Sequence, residues 1–110
     1  MNTVNKYIEL LNYTGKRIGL VNDSGNPSKV LPSHGNARLE TVTYRWSNPR
    51  NEVTKVCGLP SPDWNLIKFY IVTREVAEMF GPGRKDLLVP EEPFVHGGAT
   101  YYRKLSKINY

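Results

Sequence analysis

Proline and glycine divide much of this chain into short segments. The 110 residues include 8 prolines and 9 glycines. The clearest turn covers residues 22–27, Asn-Asp-Ser-Gly-Asn-Pro, in which each residue favours a bent backbone for its own reason. The segments between turns are rich in β-branched and aromatic residues, which favour extended backbone. The spacing of the turns therefore predicts a fold built mainly from short strands.

Eight segments have the length and composition of strands. We predict strands at residues 7–13, 17–21, 29–31, 37–46, 53–57, 67–72, 87–89 and 99–105. The segment at 67–72 is the most apolar run in the chain and predicts a central strand. We expect the strand at 87–89 to stop at Pro90, with residues 91–93 forming a polar break.

One short helix, over about residues 74–80, is marked at both ends. Thr73 can cap its start, and Glu75 lies in the first turn, where negative charge suits the helix dipole. Gly81 permits a left-handed cap, and Pro82 prevents the helix from continuing. Together these segments predict an α+β fold, with a mainly antiparallel or mixed β-sheet of about six to eight short strands and one short helix packed on it.

Length, apolar content and cysteine content bound the class of protein. Residues 1–110 fit a single domain, and a chain this short leaves a homo-oligomer open as a further source of stability. The sequence contains no apolar run of membrane-spanning length, and its start lacks the apolar stretch of a secretory signal. The one cysteine, Cys57, permits no intrachain disulfide. We therefore expect a protein of the reducing cytoplasm without membrane association.

The net charge of +5 attracts polyanions such as nucleic acid, nucleotides or an acidic protein surface. The same charge is ordinary for solubility, because small domains commonly carry a net charge of about 2–8. Net charge alone therefore does not select a partner.

The residues that usually carry catalysis or bind metals are scattered. His34, Cys57 and His96 lie far apart in the sequence, and no two of them have the spacing of a zinc site. A nucleophilic cysteine needs a base within hydrogen-bonding reach and a group that orients that base. We therefore predict no metal site, no cofactor and no enzymatic activity, with Cys57 as a small apolar residue.

The turn after the helix is the first candidate ligand site. Gly81 and Gly83 flank a proline and let backbone approach a ligand closely. Arg84 and Lys85 offer donors to a phosphate or carboxylate, and Asp86 follows them. A helix C-terminus, however, repels anions. The alternative is that the two cations complement the helix dipole and that Asp86 pairs with one of them.

Aromatic residues beside cations form the other candidate sites. Aromatic faces stack on bases while arginine and lysine neutralise phosphates. The same residues also form ordinary strands, and alternation cannot direct every ring outward. Trp64, in a proline-rich loop, is either a binding hot spot or a lid on the core. The two patches lie at residues 44–46 and at residues 101–104 with Lys107 and Tyr110, and the candidate ligand-binding residues in them are Tyr44, Arg45, Trp46, Tyr102, Arg103 and Lys104.

Several segments resemble a family of small, mostly uncharacterised proteins of bacteriophages and bacteria. The most specific match is the pattern Tyr-Ile-Val-Thr with Val-Ala at residues 70–77, followed by Arg-Lys-Asp-Leu-Leu-Val-Pro at residues 84–90. Family members often carry Thr-Pro-His in the first turn, where this chain has Thr-Gly-Lys at residues 14–16, so no role of that histidine carries over. The shorter matches lie at residues 11–14, 20–22, 31–35, 58–60 and 102–105.

The resemblance implies a fold and a setting rather than a mechanism. In a phage setting we expect an accessory protein that acts by stoichiometric binding in the host cytoplasm. The leading hypothesis is that it counteracts host defence by sequestering an anionic nucleotide ligand. One alternative is an inhibitor that binds an acidic surface of a host or defence protein directly, and another is a nucleic-acid-binding protein.

Overall fold

The computed structural model describes residues 9–44, 51–62, 68–80 and 83–107, with backbone alone for residues 42–44 and 51–52. These residues form eight strands and one helix. The elements are β1 (Glu9–Asn12), β2 (Ile18–Val21), β3 (Pro27–Leu31), β4 (Arg38–Tyr44), β5 (Asn51–Cys57), β6 (Lys68–Ile71), α1 (Arg74–Phe80), β7 (Leu87–His96) and β8 (Ala99–Ser106).

The predicted α+β fold is confirmed, and the helix has the predicted bounds. The carbonyl of Thr73 accepts the hydrogen bond of the Ala77 amide at 3.1 Å, as expected of the residue that caps a helix. Within the described part of the chain, no helix is long and apolar enough to cross a membrane.

Strands β3 and β5 each begin two residues earlier than predicted, and the largest difference from the prediction is in β7. Strand β7 does not stop at Pro90 but continues through residues 91–93 to His96. Among the described residues, it pairs with β6 only at Leu87 and Leu88, and from Val89 onward it pairs with β8 alone. A strand with one unpaired side tolerates proline, because the missing N–H interrupts no ladder on that side.

Six strands form one mixed sheet in the order β1-β6-β7-β8-β2-β3. The pairs β1–β6, β6–β7 and β2–β8 are parallel, whereas β7–β8 and β2–β3 are antiparallel. Strands β4 and β5 form a separate antiparallel hairpin. Helix α1 connects the parallel strands β6 and β7 and packs against β7 and the β4–β5 hairpin.

The end of β6 is buried on both faces, which explains its apolar residues Tyr70 and Ile71. Tyr70 and Val72 contribute to an outer core under the helix and the β4–β5 hairpin, together with Val76 and Ala77. Ile71 points the opposite way, into an inner core. The inner core contains Ile18, Leu20 and Ile71, with Leu10, Leu31, Leu88, Tyr102 and Leu105 packed against it.

The side chain of Asn12 connects the two edge strands, β1 and β3. It is fully buried, at 0% exposure. Its Nδ2 donates to the carbonyl of Leu31 at 3.2 Å and to the carbonyl of Lys16 at 2.6 Å. Its Oδ1 accepts from the amide and the hydroxyl of Thr14, at 3.0 and 2.6 Å. The hydrogen-bonding capacity of the amide group is therefore filled.

Backbone contacts extend this closure beyond β3. The amide of His34 donates to the carbonyl of Asn12 at 2.8 Å, and the amide of Ala37 donates to the carbonyl of Tyr13 at 2.9 Å. Thr14 forms an isolated antiparallel bridge with Asn36. The sheet is therefore curled, with its first and last strands tied at one end and the inner core enclosed.

Replacing Asn12 tests this closure. We expect Asn12→Ala to lower the free energy of unfolding by about 3 kcal/mol, because buried backbone groups lose their partners. Urea unfolding measures the loss. Asn22→Ala is the matched control, since Asn22 is exposed and its Oδ1 accepts from the amides of Ser24 and Asn26. Its expected cost is about 1 kcal/mol or less, and equal costs would contradict the role of Asn12.

Candidate functional site

The outer side of the β7–β8 hairpin carries a cluster of aromatic and basic side chains that we call the aromatic face. It consists of Phe94 and His96 on β7 and of Tyr101 and Arg103 on β8. Phe94 and Tyr101 are directly opposite in the ladder, and their rings stack with centroids 5.8 Å apart at 25°. The His96 ring meets the Tyr101 ring edge-on at 6.0 Å. The guanidinium carbon of Arg103 lies 4.2 Å from the Phe94 ring centroid.

Gly19 makes room for the Tyr101 ring. The two residues are paired in the parallel β2–β8 ladder. A Cβ atom at Gly19 would lie 2.3 Å from Cδ2 of Tyr101, which is closer than any real contact. The neighbours Ile18 and Leu20 point into the inner core. The absence of a side chain at Gly19 therefore lets the ring lie against the outer side of β2.

The two cations at the centre of β8 differ in their partners. The Lys104 ammonium lies 3.4 Å from Oε2 of Glu92 and 3.8 Å from Oε1 of Glu91. Arg103 is exposed, and among the described residues no carboxylate pairs with it. An arginine held against an aromatic ring keeps the edge of its guanidinium group available for an anion.

Glu91 belongs to a compact ionic network beside the aromatic face. It accepts a hydrogen bond from the Ser106 hydroxyl at 2.6 Å and also pairs with Arg74. The hydrogen bond from Ser106, followed by the charges of Lys104 and Arg74, holds the pKa of Glu91 below its usual value. Glu91 and its partners therefore stabilise the β7–β8 hairpin at neutral pH.

The predicted site at residues 84–86 is an ion pair in the structure. Arg84 is 8% exposed and Asp86 is 1% exposed. Nε and Nη2 of Arg84 donate to the two carboxylate oxygens of Asp86, both at 2.9 Å. The guanidinium carbon also lies 5.2 Å from the Phe80 ring centroid. The alternative in which Asp86 pairs with a neighbouring cation is therefore the observed one, while Lys85 is exposed and a ligand role for the segment stays a prediction.

The predicted site on β8 is divided between the two sides of the sheet. Tyr102 packs against the inner core, and Lys104 is paired with carboxylates, so only Arg103 joins the aromatic face. Tyr44 lies in β4, where the structure describes the backbone alone. The three remaining candidates, Arg45, Trp46 and Trp64, lie outside the described residues.

Sequence reasoning singled out the patch at residues 101–104 but missed Phe94 and His96 as residues of this surface. A usable signal was present in the sequence, because a Gly-Gly pair between two strand segments is typical of a tight hairpin turn. In the structure Gly97 and Gly98 form this turn, and both have positive φ. Pairing outward from these glycines sets Phe94 opposite Tyr101. Because the prediction ended the strand before residues 91–93, the hairpin between β7 and β8 was not recognised.

Cys57 does not have the surroundings of a nucleophile. Its thiol donates to Oε1 of Glu40 at 3.1 Å, and Glu40 also pairs with Arg38. The hydrogen bond to Glu40, followed by desolvation, raises the pKa of the Cys57 thiol above its usual value. Within the described residues, Nδ1 of His34 accepts from the amide of Asn12 and the His96 ring contacts Tyr101, whereas the thiol is bonded to Glu40.

The described residues contain no group of three or more histidine, cysteine or acidic side chains that could hold a metal ion. No known protein family, no curated protein and no solved structure matches the chain. The chemistry of the aromatic face therefore has to carry the functional interpretation.

The reactivity of Cys57 tests its interaction with Glu40. We expect Glu40→Gln to lower the pKa of Cys57, because the substitution removes a negative charge beside the thiolate. Alkylation by iodoacetamide at pH 8 should then be faster than in the unmodified protein, and the midpoint of the pH–rate profile should move to lower pH. Glu78→Gln, on the exposed side of α1, should leave both unchanged. An unchanged profile in Glu40→Gln would contradict this account of the thiol.

Replacing Gly19 tests the packing of the aromatic face. We expect Gly19→Ala to lower the free energy of unfolding by about 2 kcal/mol, because the added methyl group displaces the Tyr101 ring. Adding Tyr101→Ala should remove most of the clash, so the two substitutions should not be additive. Gly83→Ala is the control, since a Cβ there meets no atom within 4 Å. Chemical denaturation of the four variants gives the comparison, and an additive double variant would count against the contact.

Proposed function

We propose that this protein is a small accessory binding protein that takes up an anionic nucleotide on the aromatic face and thereby counteracts a host defence response. One observation carries the proposal. Arg103 is exposed and held over Phe94 with no carboxylate partner among the described residues, whereas its neighbour Lys104 is paired.

The chemistry of the aromatic face suits both parts of a nucleotide. The guanidinium group of Arg103 can donate two parallel hydrogen bonds to a phosphate. The rings of Phe94 and Tyr101 offer apolar faces for a base, and stacking on an aromatic ring contributes about 1–3 kcal/mol per base. His96, at the edge of Tyr101, is a further donor at the rim of this surface.

The setting of the proposal comes from the resemblance to phage and bacterial proteins at residues 70–77 and 84–90. A protein of this size with an exposed binding face can act without turnover, by lowering the free concentration of its ligand. The net charge of +5 supports an anionic partner without identifying it.

Direct inhibition of a host or defence protein is the second candidate. Arginine and aromatic residues dominate the binding energy of many protein interfaces, and the aromatic face has this composition. An acidic surface on the partner would take the place of the phosphate at Arg103. A single-stranded nucleic acid would instead show a steep loss of affinity with salt.

Calorimetry against a panel of mononucleotides, cyclic mononucleotides and cyclic dinucleotides tests the proposal. We expect one class to bind, and Arg103→Ala to weaken that binding by about 10- to 100-fold, because a charge-assisted hydrogen bond is lost. Lys55→Ala on β5 removes the same charge from the separate hairpin and should leave affinity unchanged.

Two outcomes would argue against the proposal. The first is the absence of binding up to high micromolar concentration for every nucleotide. The second is an equal effect of Arg103→Ala and Lys55→Ala. Capture of a protein partner that survives nuclease treatment and depends on Arg103 would favour the second candidate.

A further inference from the structure

Arg103 has an acidic residue opposite it that does not pair with it. Glu92 lies between Glu91 and Pro93, whose ladder partners are Lys104 and Tyr102, so by register Glu92 occupies the position opposite Arg103, although the two do not pair in the ladder. Opposite charges in this position ordinarily attract each other. The carboxylate of Glu92 instead lies 3.4 Å from the ammonium group of Lys104.

The backbone at Glu92 is unusual. Its φ is 59°, and it is the one non-glycine residue with positive φ in the described part of the chain. A residue with a side chain adopts this conformation at a cost, and it persists where surrounding contacts hold it. The contact with Lys104 is one such interaction. It engages the carboxylate of Glu92 in an ion pair with Lys104 instead of one with Arg103.

The charges around Lys104 balance. Glu91 and Glu92 supply two negative charges, and Lys104 and Arg74 supply two positive charges. The charge of Lys104 is therefore neutralised by its carboxylate partners, whereas the charge of Arg103 remains available to bind an anion.

We infer that Lys104 is a positioning residue for the ligand site, which it serves by holding the carboxylate of Glu92 away from Arg103. This inference rests on the proposed function of the aromatic face. Without Lys104, Glu92 pairs with Arg103, and an incoming phosphate must displace that carboxylate. Lys104 thus controls anion binding without contacting the anion.

A first experiment needs no ligand. The Nε–Hε resonance of Arg103 is followed by NMR in the unmodified protein, in Lys104→Met and in the double variant Glu92→Gln/Lys104→Met. We expect the resonance to move in Lys104→Met and to return in the double variant. Lys55→Met is the matched control and should leave it in place. A resonance that does not move in Lys104→Met overturns the inference.

A second experiment measures affinity for adenosine 5′-monophosphate by NMR titration of the same variants. Lys104→Met should weaken binding by about two- to fivefold, the range expected for competition by one exposed ion pair. The double variant should bind within about twofold of the unmodified protein, because the competing carboxylate has been neutralised. Methionine keeps the aliphatic length of the lysine side chain, which is 55% exposed, so folding is preserved.

The outcomes separate this inference from the proposed function. If affinity falls in Lys104→Met and is not restored in the double variant, Lys104 contacts the ligand directly and the inference is wrong. If the NMR experiment shows capture of Arg103 by Glu92 but no nucleotide binds the unmodified protein, the proposed function fails and the ion-pair exchange stands.

Discussion

The buried amide of Asn12 joins the beginning and the end of the main sheet. Its hydrogen bonds reach Lys16, at the entry to β2, and Leu31, at the end of β3. A six-stranded sheet with open edges would leave its concave side exposed to water, whereas the closed arrangement encloses Ile18, Leu20 and Ile71. The outer side of β2 and β8, where Tyr101 rests against Gly19, is the reverse side of the same curvature.

Local patterns were sufficient to predict the helix but not the whole sheet. The bounds of α1 follow from Thr73 just before its start and from a glycine and a proline just after its end, all adjacent to the helix in the sequence. The length of β7 depends instead on which side of Pro90 is paired, and that is decided by the distant strands β6 and β8. Tyr101 and Tyr102 lie on opposite sides of the sheet, because adjacent residues of a strand point in opposite directions. The pairing of β8 with its neighbours decides which of the two packs against the inner core.

The candidate site shows the same limit of sequence reasoning. The sequence offers both Arg84 and Arg103 as candidate ligand-binding cations, but burial distinguishes the two. Arg84 lies between the ring of Phe80 and the carboxylate of Asp86, where it fastens the end of α1 to the start of β7. Arg103 has the same type of ring contact on the outside of the sheet. Only the fold determines which arginine is structural.

The aromatic face lies on the opposite side of β2 and β8 from the inner core, and this separation has an evolutionary consequence. Substitutions at Phe94, His96 or Arg103 alter the outer surface without removing contacts from either core, so these positions can drift under changing selection while folding is maintained. Gly19 links the two sides, since any larger residue there displaces the ring above it. The chemistry of the aromatic face can therefore change readily, as long as residue 19 remains a glycine.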